Sequence, residues 1–99
     1  MSDASYPSPT ESRALSHLQR HKLAGLTGLM VYQHMKGRRH YGHAIDNWNR
    51  ARVLVLGEAG AELCDLFTYL ERAGGVDEEI YSALRTVAVW LEGELAAHP

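Results

Sequence analysis

Apolar residues in this chain recur at steps of three and four, the spacing of one helix face, in four successive stretches. The first opens on Ser8-Pro9-Thr10-Glu11. Ser8 is a capping residue, Pro9 suits the first helical position with its fixed φ and missing N–H, and Glu11 stands where a capping box needs a carboxylate. The stripe that follows is Leu15, Leu18, Leu26 and Leu29, with Ala14, Leu23, Met30 and Met35 beside it. One helix is therefore predicted from Pro9 until Gly37 ends it. Gly25 and Gly28 interrupt it, each costing about 1 kcal/mol relative to alanine; close crossing by another helix would explain them, and so would a kink or break.

The second stretch starts at about His40 and places Tyr41, Ala44, Ile45, Trp48, Ala51 and Val55 on one face of a helix that extends to Leu56. Ala44 and Ala51 would let another helix approach closely while Trp48 fills the space between. The apolar run of residues 53–56 also fits a short strand, but no second strand candidate exists to pair with it. Gly57 and Gly60 bracket a break. Leu63, Leu66, Phe67 and Leu70 then form a third stripe, closed by Gly74 and Gly75. The fourth helix starts with Asp77 as cap, Glu78 and Glu79 at the positive end of the dipole, and Val76 set to staple onto Tyr81. Its stripe is Ile80, Leu84, Val87 and Leu91, and it frays near Gly93.

Four helices with short connections predict an all-α fold, a four-helix bundle or stacked helical hairpins, as a single domain over residues 8–96 behind a mobile tail at residues 1–7. The expected core is Leu26, Leu29, Ala44, Ile45, Trp48, Ala51, Leu66, Phe67, Leu84, Val87 and Leu91.

Composition leaves this picture in place: 45% of the 99 residues are hydrophobic and 22% charged, ordinary for a globular chain. Cys64 is the sole cysteine, which excludes an intrachain disulfide and fits a reducing compartment. Its apolar helical setting predicts a buried, inert thiol. The N-terminus lacks a basic, apolar leader and no segment has the length of a membrane span, so a cytoplasmic protein with no membrane contact is expected. Charge adds an asymmetry. Residues 1–56 hold eight Lys/Arg and three Asp/Glu, a balance of +5, whereas residues 57–99 hold two and nine, a balance of -7. Attraction between halves of one molecule and attraction to an external partner both follow from such a split.

Ala44, Trp48 and Ala51, a small residue, an aromatic four later and a small residue three beyond, resemble the B helix of a tetratricopeptide repeat, with Tyr41 in the preceding turn. Thr27-Gly28-x-x-Val31 stands where that repeat's A helix carries its Leu-Gly-x-x-Tyr element. The chain departs from the pattern in having Gly28 sixteen residues before Ala44, no closing proline, and Glu78 and Arg85 thirty-four residues beyond Ala44 and Ala51. The resemblance covers one hairpin, residues 24–56. It implies a peptide- or protein-binding surface like that of small tetratricopeptide-like chaperones and adaptors.

Lys36, Arg38, Arg39, His40 and His43 form a basic cluster with Tyr41 inside it. We expect these six residues to bind a partner. Nucleic acid is disfavoured by the negative net charge and the acidic second half; a protein with an acidic segment fits better. His17 and His21, and His40 and His43, have spacings compatible with metal ligation, but carboxylate and thiolate company is lacking, so no metal and no cofactor is expected. No phosphate loop, nucleophile elbow or other catalytic constellation occurs. The sequence therefore predicts a non-enzymatic protein-interaction module, with a histidine-based ligand or metal site and a nucleic-acid-binding regulator as the alternatives. Leu23, Val31, Tyr69 and Trp90 lie off their stripes and, with the charge split, suggest a homodimer.

Overall fold

The computed structural model describes residues 5–97. It contains helices α1 (Pro9–Gln19), α2 (Ala24–Tyr41), α3 (Arg52–Arg72) and α4 (Glu78–Ala96), with a 3₁₀ turn at Ile45–Asn47 between α2 and α3. No strand occurs among the described residues, and the fold is all-α. The chain divides between Asn49 and Arg50 into two compact units, each built on a helical hairpin, where one domain was expected over residues 8–96.

In the first unit, α1 starts as its sequence dictates. The Glu11 N–H donates to Ser8 Oγ (3.2 Å) and the Ser8 N–H donates to Glu11 Oε1 (2.9 Å), completing the capping box. The helix then stops early. Lys22 adopts a left-handed conformation, φ 58°, and its N–H donates to the Gln19 carbonyl while the Leu23 N–H reaches back to the Leu18 carbonyl. These bonds, from the C′ and C″ positions to C2 and C3, are those of a Schellman motif, here with a lysine where glycine is usual. The single helix expected from Pro9 to Gly37 is thus two.

Gly37 does not end α2, since a glycine with helical dihedrals costs propensity without stopping the chain. Gly42 ends it, at φ 81°, with its N–H on the Arg38 carbonyl (2.7 Å). The helix expected from His40 to Leu56 is corrected accordingly. Ala44 and Ala51 are extended, Ile45–Asn47 makes the 3₁₀ turn, and the Ala44, Trp48 and Ala51 element does not lie on a helix face. Residues 1–4 of the expected tail lie outside the described residues. Tyr6 is half-buried, and the Ser5 carbonyl accepts from Arg38 Nη2 (3.0 Å), so this part of the tail is bound to α2.

The second unit holds the longer helices. α3 runs without a break through Gly57 and Gly60, because neither glycine takes a left-handed φ. A Cβ on Gly60 would sit 4.0 Å from Leu95 Cδ1 of α4, ordinary packing distance. The α3–α4 turn closes as expected: Gly74 and Gly75 have φ of 108° and 86°, with their N–H groups on the Glu71 and Leu70 carbonyls. Asp77 occupies the N-cap of α4, though its side chain makes no capping hydrogen bond.

Of the expected core, Ala44 and Leu91 are buried, and Trp48, Phe67 and Leu84 are half-buried. Leu26, Leu29, Ile45, Ala51, Leu66 and Val87 are exposed instead. A two-helix unit has one shared face per helix, so a broad apolar arc cannot all be covered. Leu15 and Glu11 complete the buried set among the described residues. Cys64, expected inside, is exposed on α3 for the same reason.

Candidate functional site

The most elaborated chemistry lies in the first unit, where the segment before α1 and the 3₁₀ turn after α2 meet the two helices. Glu11, only 2% exposed, receives Arg38 as a two-pronged partner, Nε to Oε2 at 3.0 Å and Nη2 to Oε1 at 2.5 Å. The Arg38 guanidinium holds the Glu11 carboxyl below the usual range, against the upward push of burial and with help from the Ser8 N–H and hydroxyl. Arg38 also lies over the Tyr6 ring, 5.3 Å from its centroid. The Tyr6 hydroxyl shares a hydrogen bond with His34 Nδ1 at 2.8 Å. Burial raises the Tyr6 phenol, aided by Glu11 and opposed by Arg38.

Asp46 fastens the 3₁₀ turn to the start of α1. Ser8 Oγ donates to Asp46 Oδ1, and the Thr10 N–H donates to Oδ2 at 3.0 Å. Partial desolvation pushes the Asp46 carboxyl up, but the bonds from Ser8 and Thr10 outweigh it and hold the group at about 2. A carboxylate at a helix N-terminus also meets the positive end of the dipole.

Beside this network is a cavity of about 190 Å³, open on one side. Ala14 of α1, Gly37 and Tyr41 of α2, and Ile45 and Trp48 after it supply its apolar lining. Thr10, Glu11, Gln33, His34, Arg38 and His43 supply the polar part. Tyr41 and Trp48 meet edge to face with ring centroids 5.0 Å apart, and the His40 ring also meets Tyr41 edge to face, with centroids 4.6 Å apart. His43 Nδ1 is 2.9 Å from the Ala44 carbonyl. A carbonyl only accepts, so that nitrogen carries the hydrogen.

The six residues expected to bind a partner are divided by the structure. Lys36, Arg39 and His40 are exposed on α2. Arg38 is held in an ion pair within the chain, because Glu11 lies opposite it across the α1–α2 hairpin. Tyr41 and His43 line the cavity. Tyr6, Glu11, His34 and Asp46 were not read as site residues, since their connections run over sequence separations of 27 to 38 residues that no local spacing reveals. His17 and His21 are exposed, and the described residues contain no group of three or more His, Cys, Asp or Glu placed to hold a metal.

No helix among the described residues is long and apolar enough to cross a membrane. No family model, curated protein or solved structure matches the chain.

Proposed function

We propose that this chain is a non-enzymatic protein-interaction module of the cytoplasm, acting through the uncovered face of α2. One observation carries the reading: Leu26, Leu29 and Tyr32 of α2 are each more than half exposed, and the same helix continues into exposed Lys36, Arg39 and His40. An apolar patch leading into a cationic end suits an amphipathic partner segment with acidic residues beside its apolar anchors. A second copy of the chain is the first such partner to test, given its acidic C-terminal half and the exposure of Leu23, Tyr69 and Trp90.

The test compares the wild-type chain with a Leu26→Ser, Leu29→Ser double variant. Both are followed by sedimentation equilibrium in low and high salt and by quantitative mass spectrometry of proteins captured from native extract. The expected outcome is a self-associated or hetero-associated species that the double variant loses while its helix content stays the same. An 11.0 kDa monomer in both salts, with identical captured proteins for both chains, would sink the reading.

A further inference from the structure

We infer that the open-sided cavity lined by α1, α2 and the 3₁₀ turn binds a small neutral aromatic molecule that carries an N–H or O–H donor. Size and walls set the first term. The space of about 190 Å³ exceeds the ~150 Å³ known to hold a benzene ring in an apolar cavity, and Tyr41 and Trp48 give it aromatic walls.

Gly37 sets the second. It lies inside α2, four residues before the helix's last residue, Tyr41; glycine within a helix costs about 1 kcal/mol against alanine, and Gly37 has no positive φ to justify that cost. A Cβ at Gly37 would meet nothing within 4 Å, so no close helix crossing requires glycine either. Unlike Gly25 and Gly28, which are exposed on the same helix, Gly37 is half-buried and lines the cavity. Its missing side chain keeps the space open.

Charge and hydrogen bonding set the third. The fixed charges in the wall, Glu11 and Arg38, neutralise one another through two hydrogen bonds, and Arg38 is further engaged by the Ser5 carbonyl. An anionic or cationic ligand would lose its hydration without gaining a free counter-charge. With the His43 Nδ1 hydrogen on the Ala44 carbonyl, Nε2 is an acceptor whenever the imidazole is neutral. The complementary ligand is neutral and donates.

Indole is the probe, titrated into the uniformly ¹⁵N-labelled full chain and read from the backbone amide of Gly37 and the ring N–H of Trp48. Saturable, submillimolar shifts at both groups are expected. Benzofuran, of the same shape without the donor, is expected to bind several-fold more weakly, and benzoate and benzamidine about tenfold more weakly or worse. Gly37→Leu fills the cavity from α2 and Ala14→Leu from α1; each is expected to abolish the shifts while circular dichroism stays unchanged. Should one variant fail to fold, the other decides. Absence of saturation at millimolar indole, equal affinity in the filled variant, or equal binding of the charged probes would overturn the inference.

Discussion

The first unit buries a carboxylate and ties its short helix down with polar bonds, whereas the second is held by apolar packing between two long helices. α1 has only 11 residues, below the length at which an isolated helix persists, while α3 and α4 have 21 and 19. Its position is fixed by Glu11–Arg38 on one side and by Ser8, Thr10 and Asp46 at its start. In the second unit Leu91 is buried, and Phe67 and Tyr81 stack with centroids 6.4 Å apart and planes 8° from parallel. Its ion pairs, Arg50–Glu58, Arg52–Glu94 and Arg85–Glu78, are all at the surface, where such pairs add little. Directional bonds fix the short helix; area fixes the long ones.

The sharpest way to break this contrast is Arg38→Met. It strands Glu11 in a buried site and is expected to cost about 3 to 5 kcal/mol, with Glu11 escaping part of the penalty by taking a proton. Leu91→Ala, its counterpart in the second unit, is expected to cost about 2 to 4 kcal/mol through lost burial and a residual cavity. Residue-resolved amide exchange separates the two, since Arg38→Met should deprotect α1 more than α3 and Leu91→Ala the reverse. A loss under about 1 kcal/mol for Arg38→Met would mean that the ion pair does not organise its unit.

Acid should divide the units next. Asp46 and Glu11 are depressed in the folded chain, so their stabilisation is complete above the unfolded carboxylate range and is lost as pH falls through the folded values. For Asp46 that window runs from its ordinary 3.8 down to about 2. The start of α1 should therefore fray in this range, and Asp46→Asn should flatten that dependence. Tyr81 in the second unit is raised, mainly by its hydrogen bond to Glu71 and then by desolvation, so its contribution is present below pH 10 and is lost as pH rises through the folded value. Tyr6 is raised as well, which makes the alkaline side common to both units and leaves the acid side as the discriminator. Amide exchange of residues 10–12 and 78–81 at pH 5 and near pH 2 is the measurement. Equal acid sensitivity at both helix starts would remove the assigned role of Asp46.

Local signals were legible where one residue's own chemistry decides the outcome. Ser8, Pro9 and Glu11 announced α1, and Gly74 and Gly75 announced the α3–α4 turn. Spacing misled at residues 40–56, because steps of three and four among Tyr41, Ala44, Trp48 and Ala51 are necessary for a helix face but do not prevent Gly42 from turning left-handed and ending the helix first. The cavity was half visible. Tyr41 and His43 stood out within a basic cluster, but Arg38 faces inward only because Glu11 lies across the hairpin, and a contact over 27 residues leaves no local trace. Glu11 had already been assigned a local duty as part of the capping box, and it performs that duty while also holding Arg38.

The smallest expected effect concerns the two helix-to-helix turns, which share a Schellman pattern and differ in the residue that makes it. At Gly74 and Gly75 the left-handed backbone costs no side-chain clash; at Lys22, φ 58°, it sets Cβ against the carbonyl, a strain of about 1 kcal/mol. Nothing in the sequence around residues 20–23 signals this turn, since the lysine is used where Gly or Asn is the usual residue. The Lys22 side chain is exposed, so Lys22→Gly should relieve the strain without removing packing. Part of the gain is returned as the extra chain entropy of an unfolded glycine, which leaves a net stabilisation of about 0.5 kcal/mol. Lys22→Ala keeps the Cβ and should leave stability nearly unchanged. Equilibrium urea unfolding of the three chains, monitored at α1, measures the difference: a glycine variant no more stable than the alanine variant would show that the left-handed turn is not what separates α1 from α2.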